Sequence, residues 1–182
     1  MRVIAGERRG LALKSLKGDQ TRPTSDKIKE SIFNIIGPYF DGGGVVELFG
    51  GSGNLSIEAL SRGAEKAYIF EKNRAACQVI RENIAKCKYE ERVIIQQADA
   101  RNAHKIISAT GEKVDYLFLD PPYAEEKFYQ LVEQFVTEDL LSADAVIICE
   151  HDKKVQLPTA YGEYEQVKAN VYGNIAITIY KK

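Results

Sequence analysis

From Val45 onward, short apolar runs alternate with segments of helical periodicity, a pattern that few chain arrangements can satisfy. The runs are "VVELF" (45–49), "KAYIFE" (66–71), "RVIIQQ" (92–97), "VDYLFLD" (114–120) and "AVIICE" (145–150). Between them, "NLSIEALSRGA" (54–64) reads as a helix closed by Gly63, and "RAACQVIRENIAKC" (74–87) sets Cys77, Ile80, Ile84 and Cys87 on one helical face. A short helix is expected near 101–109 and a longer one over about 125–141. Near-continuous apolar strands separated by helices imply a parallel sheet covered on both faces. The end of the chain departs from this: Ile175, Ile177 and Ile179 alternate with Ala176, Thr178 and Tyr180 behind a turn at Tyr172, Gly173 and Asn174. That is an antiparallel hairpin closing the sheet.

The first 40 residues form a separate kind of segment. "RVIAG" and "LALKSL" can pair as short strands, and "SDKIKESIFNII" (25–36) reads as a helix capped by Ser25 or Asp26 and ended by Gly37 and Pro38. We therefore expect one domain over 1–182, with an N-terminal extension (1–40) and a core (44–182). The mix of 45% hydrophobic and 28% charged residues is that of a globular chain. No apolar run approaches the ~20 residues of a membrane helix, so no membrane partner is expected, and Cys77, Cys87 and Cys149, odd in number and far apart, read as the reduced thiols of a cytoplasmic protein. Three scattered cysteines and two histidines argue against a disulfide framework and against a zinc site.

A net charge of −1 conceals an uneven distribution. Residues 1–30 hold eight Lys or Arg against four acids, so the N-terminal extension carries +4 and can meet phosphates; a solvated arm would have the same composition.

The string "ELFGGSGN" (47–54) lies where the first strand meets the first helix, and Gly50, Gly51, Ser52 and Gly53 allow close approach of a ligand to backbone N–H groups. The GxxxxGK[ST] phosphate loop is absent, and Ser56 stands where a dinucleotide fingerprint needs its third small residue. S-adenosylmethionine fits better, because its cationic amine and ribose hydroxyls call for one acid near the glycines and another after the second strand. Glu47 and Glu71 occupy those places, and Asp99 with Ala100 follows the third strand where the adenine edge would be met.

The fourth strand ends in "LDPPY". An exocyclic amine on a purine is a poor nucleophile, since its lone pair is delocalised. The carboxylate of Asp120 and the carbonyl of Pro121 can accept its two N–H bonds, and those bonds strengthen as positive charge develops. The ring of Pro121 and the following Pro122 limit the carbonyl's freedom, and Tyr123 offers a face on which a base can stack.

"LDPPY" belongs to the (D/N/S)PP(Y/F/W) signature of methyltransferases acting on exocyclic amines. Together with "RVIAGERRG", "TRPTSDKIKESIFNII", "ELFGGSGNLSIEALSRGA", "FEKN" and "ADA", it makes the chain resemble the RsmD family of bacterial 16S rRNA guanine-N2 methyltransferases over nearly its whole length. The resemblance implies a Rossmann-like class I methyltransferase fold, with seven mostly parallel strands, the antiparallel hairpin and helices on both faces. It implies S-adenosylmethionine as donor and a 16S rRNA guanine as acceptor, in free rRNA or in an assembling small subunit, flipped into the pocket of a monomer. By the same resemblance Asp120, Pro121 and Tyr123 hold the amine, and Glu47, Gly50, Gly51, Ser52, Gly53, Glu71, Asp99 and Ala100 hold the cofactor. Arg22, Pro23, Thr24 and Asn34 would line the pocket, while Arg8, Arg9, Lys14, Arg22 and Lys27 would meet RNA; no metal is implied. Glu47 and Gly51 depart from the family's more usual Asp and Ala. A DNA adenine methyltransferase would share the catalytic residues, a nicotinamide-dependent oxidoreductase would share the loop, and a non-catalytic RNA-binding protein would share the fold.

Overall fold

In the computed structural model, residues 1–16, 25–122 and 125–182 are described. Eight strands form a single sheet in the order β3-β2-β1-β4-β5-β8-β7-β6. Strands β1 (Gly44–Leu48), β2 (Lys66–Phe70), β3 (Val93–Gln96), β4 (Val114–Leu119) and β5 (Leu141–Asp152) run parallel. Strand β8 (Ile175–Lys181) lies antiparallel to β5 and to β7 (Tyr164–Tyr172), and the Gly173–Asn174 turn links β7 to β8. The expected seven strands become eight because Ala160–Tyr161 (β6) pairs with Tyr164 and Glu165 to make a two-residue edge.

The helices divide between the two faces. Helices α1 (Asp26–Ile36), α2 (Asn54–Ser61) and α3 (Arg74–Cys87) bury Ile32, Phe33, Ile57, Leu60, Ile80 and Ile84 against one side. Helices α4 (Ala103–Thr110) and α5 (Leu131–Thr137) bury Ile107, Leu131, Val132 and Phe135 against the other. Alternation along each strand feeds both cores: Val45 and Phe118 face the first, Val46, Leu117 and Leu119 the second. The single helix expected over 125–141 is shorter and broken. A 3₁₀ turn at Glu126–Phe128 precedes α5, and Leu141 already pairs with Val114, so the sheet takes residues that local pattern had given to the helix. In turn β5 extends to Asp152, because the antiparallel β8 pairs along its full length. At the other end of the chain, the expected pairing of the first two segments reduces to one bridge, Arg2 with Ala12.

The N-terminal segment is fastened by one buried acid. Glu58 of α2 accepts the N–H groups of Ile4 (2.9 Å) and Ala5 (3.1 Å), and pairs with Lys29 (3.1 Å) and Arg62 (2.7 Å). Lys29 also donates to Arg2 O and to Asn54 Oδ1, both at 2.6 Å, while Arg62 lies over the Phe33 ring. Burial pulls the Lys29 ammonium below its usual pKa, and Glu58 opposes that shift. This network positions α1 and the start of α2, which follows the glycine loop directly.

Candidate active site

The sheet order reverses between β1 and β4, the place where open α/β sheets bind ligands at their carboxyl ends. Leu48 pairs with Leu119, so the next residues, Phe49 and Asp120, leave neighbouring strands side by side. The glycine loop and the Asp120–Pro121–Pro122 segment therefore flank one crevice. Asp120 is half-buried and Pro121 buried.

Backbone contacts shape the loop. A side chain at Gly50 would put its Cβ 2.3 Å from Ile69 Cγ2, so only glycine lets the loop lie this close to β2. Gly53 caps α2 with φ +79°, and the space over Gly51 is open to 4 Å. The Gly51 N–H donates to Glu71 Oε1 and the Asn73 N–H to Glu71 Oε2, both at 2.9 Å. Glu71 thus ties the glycine loop to the start of α3 through backbone donors alone. Asn83 adds a second tie, donating to Ser52 O (2.9 Å) and Lys14 O (2.8 Å).

Glu47 lies deeper, at 4% exposure. Its Oε1 accepts from Ser56 N (3.0 Å) and Ser56 Oγ (2.6 Å). Burial raises its pKa to about 7, the Ser56 bonds pull the other way, and the charges of Glu71 and Glu150 add to the rise. Ser56, which spoils a dinucleotide fingerprint, is thus the residue that grips Glu47. Glu150 escaped the sequence reading. It is buried at the end of β5, and its sequence signal was an acid closing an apolar run next to the strand of Asp120.

Asp99 is held closely by its neighbour. Arg101 donates from N and Nε to Oδ1 (2.9 and 3.0 Å) and from a terminal nitrogen to Oδ2 (2.9 Å), which lowers the Asp99 pKa to about 2. Ala100 is buried beside it. Phe49 adopts φ +63°, a left-handed conformation that costs a non-glycine residue roughly 1–2 kcal/mol. Its ring meets Phe128 edge-on at 5.3 Å, joining the glycine loop to the segment after the prolines. Neither phenylalanine was singled out by motif, since a strained φ has no sequence signature.

The N-terminal candidates separate into two groups. Arg9 and Lys27 are exposed, as is Asn34 on α1. Arg8 is built into the fold, donating from Nε to Cys87 O (2.7 Å) and stacking over Tyr89, and Lys14 pairs with Glu82 at 2.9 Å. Arg22, Pro23, Thr24 and Tyr123 lie outside the described residues. A cavity of about 710 Å³ exists, but at the opposite end of the sheet, lined by Gly43, Lys66, Tyr68, Glu112, Asp115 and Tyr116 among others. No motif from the sequence falls there.

The family model described as "Conserved hypothetical protein 95" matches residues 1–181. The chain belongs to this family, that of the RsmD-type enzymes. A Bacillus subtilis (strain 168) protein named "Putative rRNA methyltransferase YlbH" is 41% identical over 182 residues, covering 100% of this chain and 99% of the relative. Ribosomal RNA small subunit methyltransferase D of Escherichia coli (strain K12) is 28% identical over 182 residues, covering 100% and 90%. A solved Escherichia coli structure, described as "Putative methyltransferase yhhF", superposes with a TM-score of 0.85 at 28% identity, covering 100% of this chain and 97% of that one. The fold is accordingly the class I methyltransferase fold, and the cofactor of this RsmD-type chain is S-adenosylmethionine. The donor set fits that molecule. The space over Gly51 is open, and a cationic ligand relieves the repulsion that Glu71 and Glu150 exert on Glu47.

Proposed function

We propose that this chain methylates the exocyclic N2 amine of a guanine in small-subunit rRNA, with the target base flipped into the crevice between β1 and β4. The observation that carries the reading is the side-by-side exit of Phe49 and Asp120 at the sheet's switch point, set by the pairing of Leu48 with Leu119. It brings the glycine loop within reach of the acid–proline segment. The relatives' names, which specify rRNA and its small subunit, support the acceptor.

The bound cofactor supplies an electrophilic methyl group on a cationic sulfur. The chain supplies the rest. Gly51 and Glu71 hold the loop to which the cofactor binds, and Glu47 contributes negative charge beneath it. Asp120 accepts one N–H of the guanine amine and the Pro121 carbonyl the other, so the nitrogen's lone pair is turned out of the ring's conjugation. Removing the base from its stack costs a few kcal/mol, and an aromatic platform returns about 1–3 kcal/mol; Tyr123 takes that place in the sequence. As the amine nitrogen bonds to the methyl carbon, the carbon–sulfur bond would break with its electron pair left on sulfur as a neutral thioether, and the nitrogen, now positive, loses one proton to Asp120 or to water. Proximity of amine and donor accounts for much of the acceleration.

The test is transfer of labelled methyl groups to ribosomal particles and to stripped rRNA from cells lacking this protein, followed by nucleoside analysis. N2-methylguanosine is the expected product. N6-methyladenine would move the chain to the adenine class, and cofactor binding without transfer to any RNA would make it a non-catalytic member of the fold. Comparing particles with stripped rRNA shows which of the two is the acceptor.

A further inference from the structure

One surface outside the crevice has an order that neither folding nor cofactor binding explains. On the exposed side of α3, Arg74, Gln78, Arg81 and Ala85 follow at alternating spacings of four and three, and Lys88 caps the helix at the next step. Residues so spaced lie in one line along a helix. Arg74, Arg81 and Lys88 are each seven residues apart, which places a cation about every 10.5 Å along the line. All three are exposed, and among the described residues none of them is in an ion pair. The one acid of α3, Glu82, is occupied by Lys14. Lys72 adds a further exposed charge at the head of the line, close enough to lower the Asp99 pKa.

The line is also placed with respect to the crevice. It starts directly after Glu71, which holds the glycine loop, and Asn73, which caps the helix, and runs down the side of the domain for the length of α3. The N-terminal segment packs along its flank, where Lys14 O accepts from Asn83, Ala12 O from Lys86 Nζ, and Cys87 O from Arg8. This sets Arg8 at the C-terminal end of α3 and Lys14 beside Glu82. On the α5 side, residues 125–145 carry Glu125, Glu126, Glu133, Glu138, Asp139 and Asp144 against Lys127, with Glu125 and Asp139 paired to Lys127 and Lys113.

We propose that the outer face of α3 is a phosphate track, in which Arg74, Arg81 and Lys88 hold the backbone of the RNA whose base enters the crevice. The proposal deepens the rRNA methyltransferase reading and rests on it. Phosphate contacts of this kind set position and register without reading sequence. A regular line of cations serves that purpose, and the acidic α5 side keeps the strand from lying the other way. The acceptor's flanking strand then leaves the β1/β4 crevice past Lys72 and descends along α3.

The experiment compares the wild type with the triple variant Arg74→Ala, Arg81→Ala, Lys88→Ala, and with the conservative double variant R74K/R81K. Binding to protein-free small-subunit rRNA is measured over a salt series. At about 0.1 M salt the triple variant should bind about 100-fold more weakly, and its log–log salt slope should be shallower by about two to three. R74K/R81K, which keeps the charges, should stay within a few-fold of the wild type. Affinity for S-adenosylmethionine and thermal midpoint should be unchanged, with the methyl-transfer defect in KM and not in kcat. If the triple variant keeps its RNA affinity and slope while the wild type methylates rRNA, the track is wrong and the functional reading stands. If the wild type neither binds nor methylates rRNA, the functional reading fails and the track with it.

Discussion

Where the strands of the sheet begin, Glu112 accepts the Tyr68 hydroxyl at 2.6 Å and pairs with Lys66 at 3.2 Å, and Asp115 takes the Gly44 N–H at 2.8 Å and the Ser142 hydroxyl at 2.7 Å. Where the strands finish, Glu71 is held by two backbone N–H groups and Glu47 by a single serine. The electrostatic consequences run in opposite directions. Tyr68 and Lys66 lower the Glu112 pKa, whereas burial raises that of Glu47 to about 7. The open cavity lies at the first end and the glycine and acid–proline motifs at the second. Glu112 has its cation in Lys66, whereas among the described residues Glu47 and Glu71 have no cationic partner and are available to a cationic ligand. Concavity by itself does not separate the two.

Glu58 gives this contrast its strongest test, because it is satisfied by two cations at zero exposure. Glu58→Ala leaves Lys29 and Arg62 buried without their partner and should cost about 3–5 kcal/mol in denaturant unfolding. A loss near zero would mean that the network is not what holds the N-terminal segment. Next comes Asp120, for which the contrast predicts the converse. Asp120→Ala should lower turnover by about 10²–10³, as for other donors or acceptors that act mainly in the transition state, while stability and cofactor affinity hold. Near-normal turnover in that variant would remove Asp120 from the mechanism.

Glu47 should show itself through pH. Its folded pKa lies above the unfolded value, so the folded chain binds more protons between pH 4.5 and about 7, and stability falls as pH rises through that window. The full displacement corresponds to about 3 kcal/mol. In Glu47→Gln the contribution disappears, so variant and wild type should diverge between pH 5 and pH 8 in denaturant midpoint; parallel curves would contradict the assignment. Affinity for the cationic cofactor should rise with pH over the same window in the wild type and not in the variant. The smallest effect is expected at the other end of the sheet. Asp115→Ala should cost about 1–3 kcal/mol of stability and leave turnover within a few-fold.

Much of this is legible in the sequence. The apolar runs placed five parallel strands to within a few residues, and the Ile175–Ile177–Ile179 alternation located β8 together with its turn. Of the two candidate caps, Ser25 and Asp26, it is Ser25 that accepts from Ile28 N, at 3.2 Å. The segment between β4 and β5 was read poorly, since a helix pattern over 125–141 competes with pairing to Val114 that only the sheet supplies. At the site, the glycine loop and the acid–proline segment were found because their signals are contiguous in the chain. Their partners were not, and even the local contact between Asp99 and Arg101 had no signal in the motif.

By itself the sequence determined the alternation of strands and helices, the antiparallel closure, and the position of each motif at the carboxyl end of its strand. These follow from periodicity and turn chemistry acting over a few residues. Tertiary structure alone decided that Arg8 would meet Cys87, that Lys29 would be buried against Glu58, and that Glu47 would lie under Ser56. It also decided that two ends of one sheet would use their acids differently. The physical reason is that burial and pairing set the energy of a charge, and both depend on groups far away in the chain.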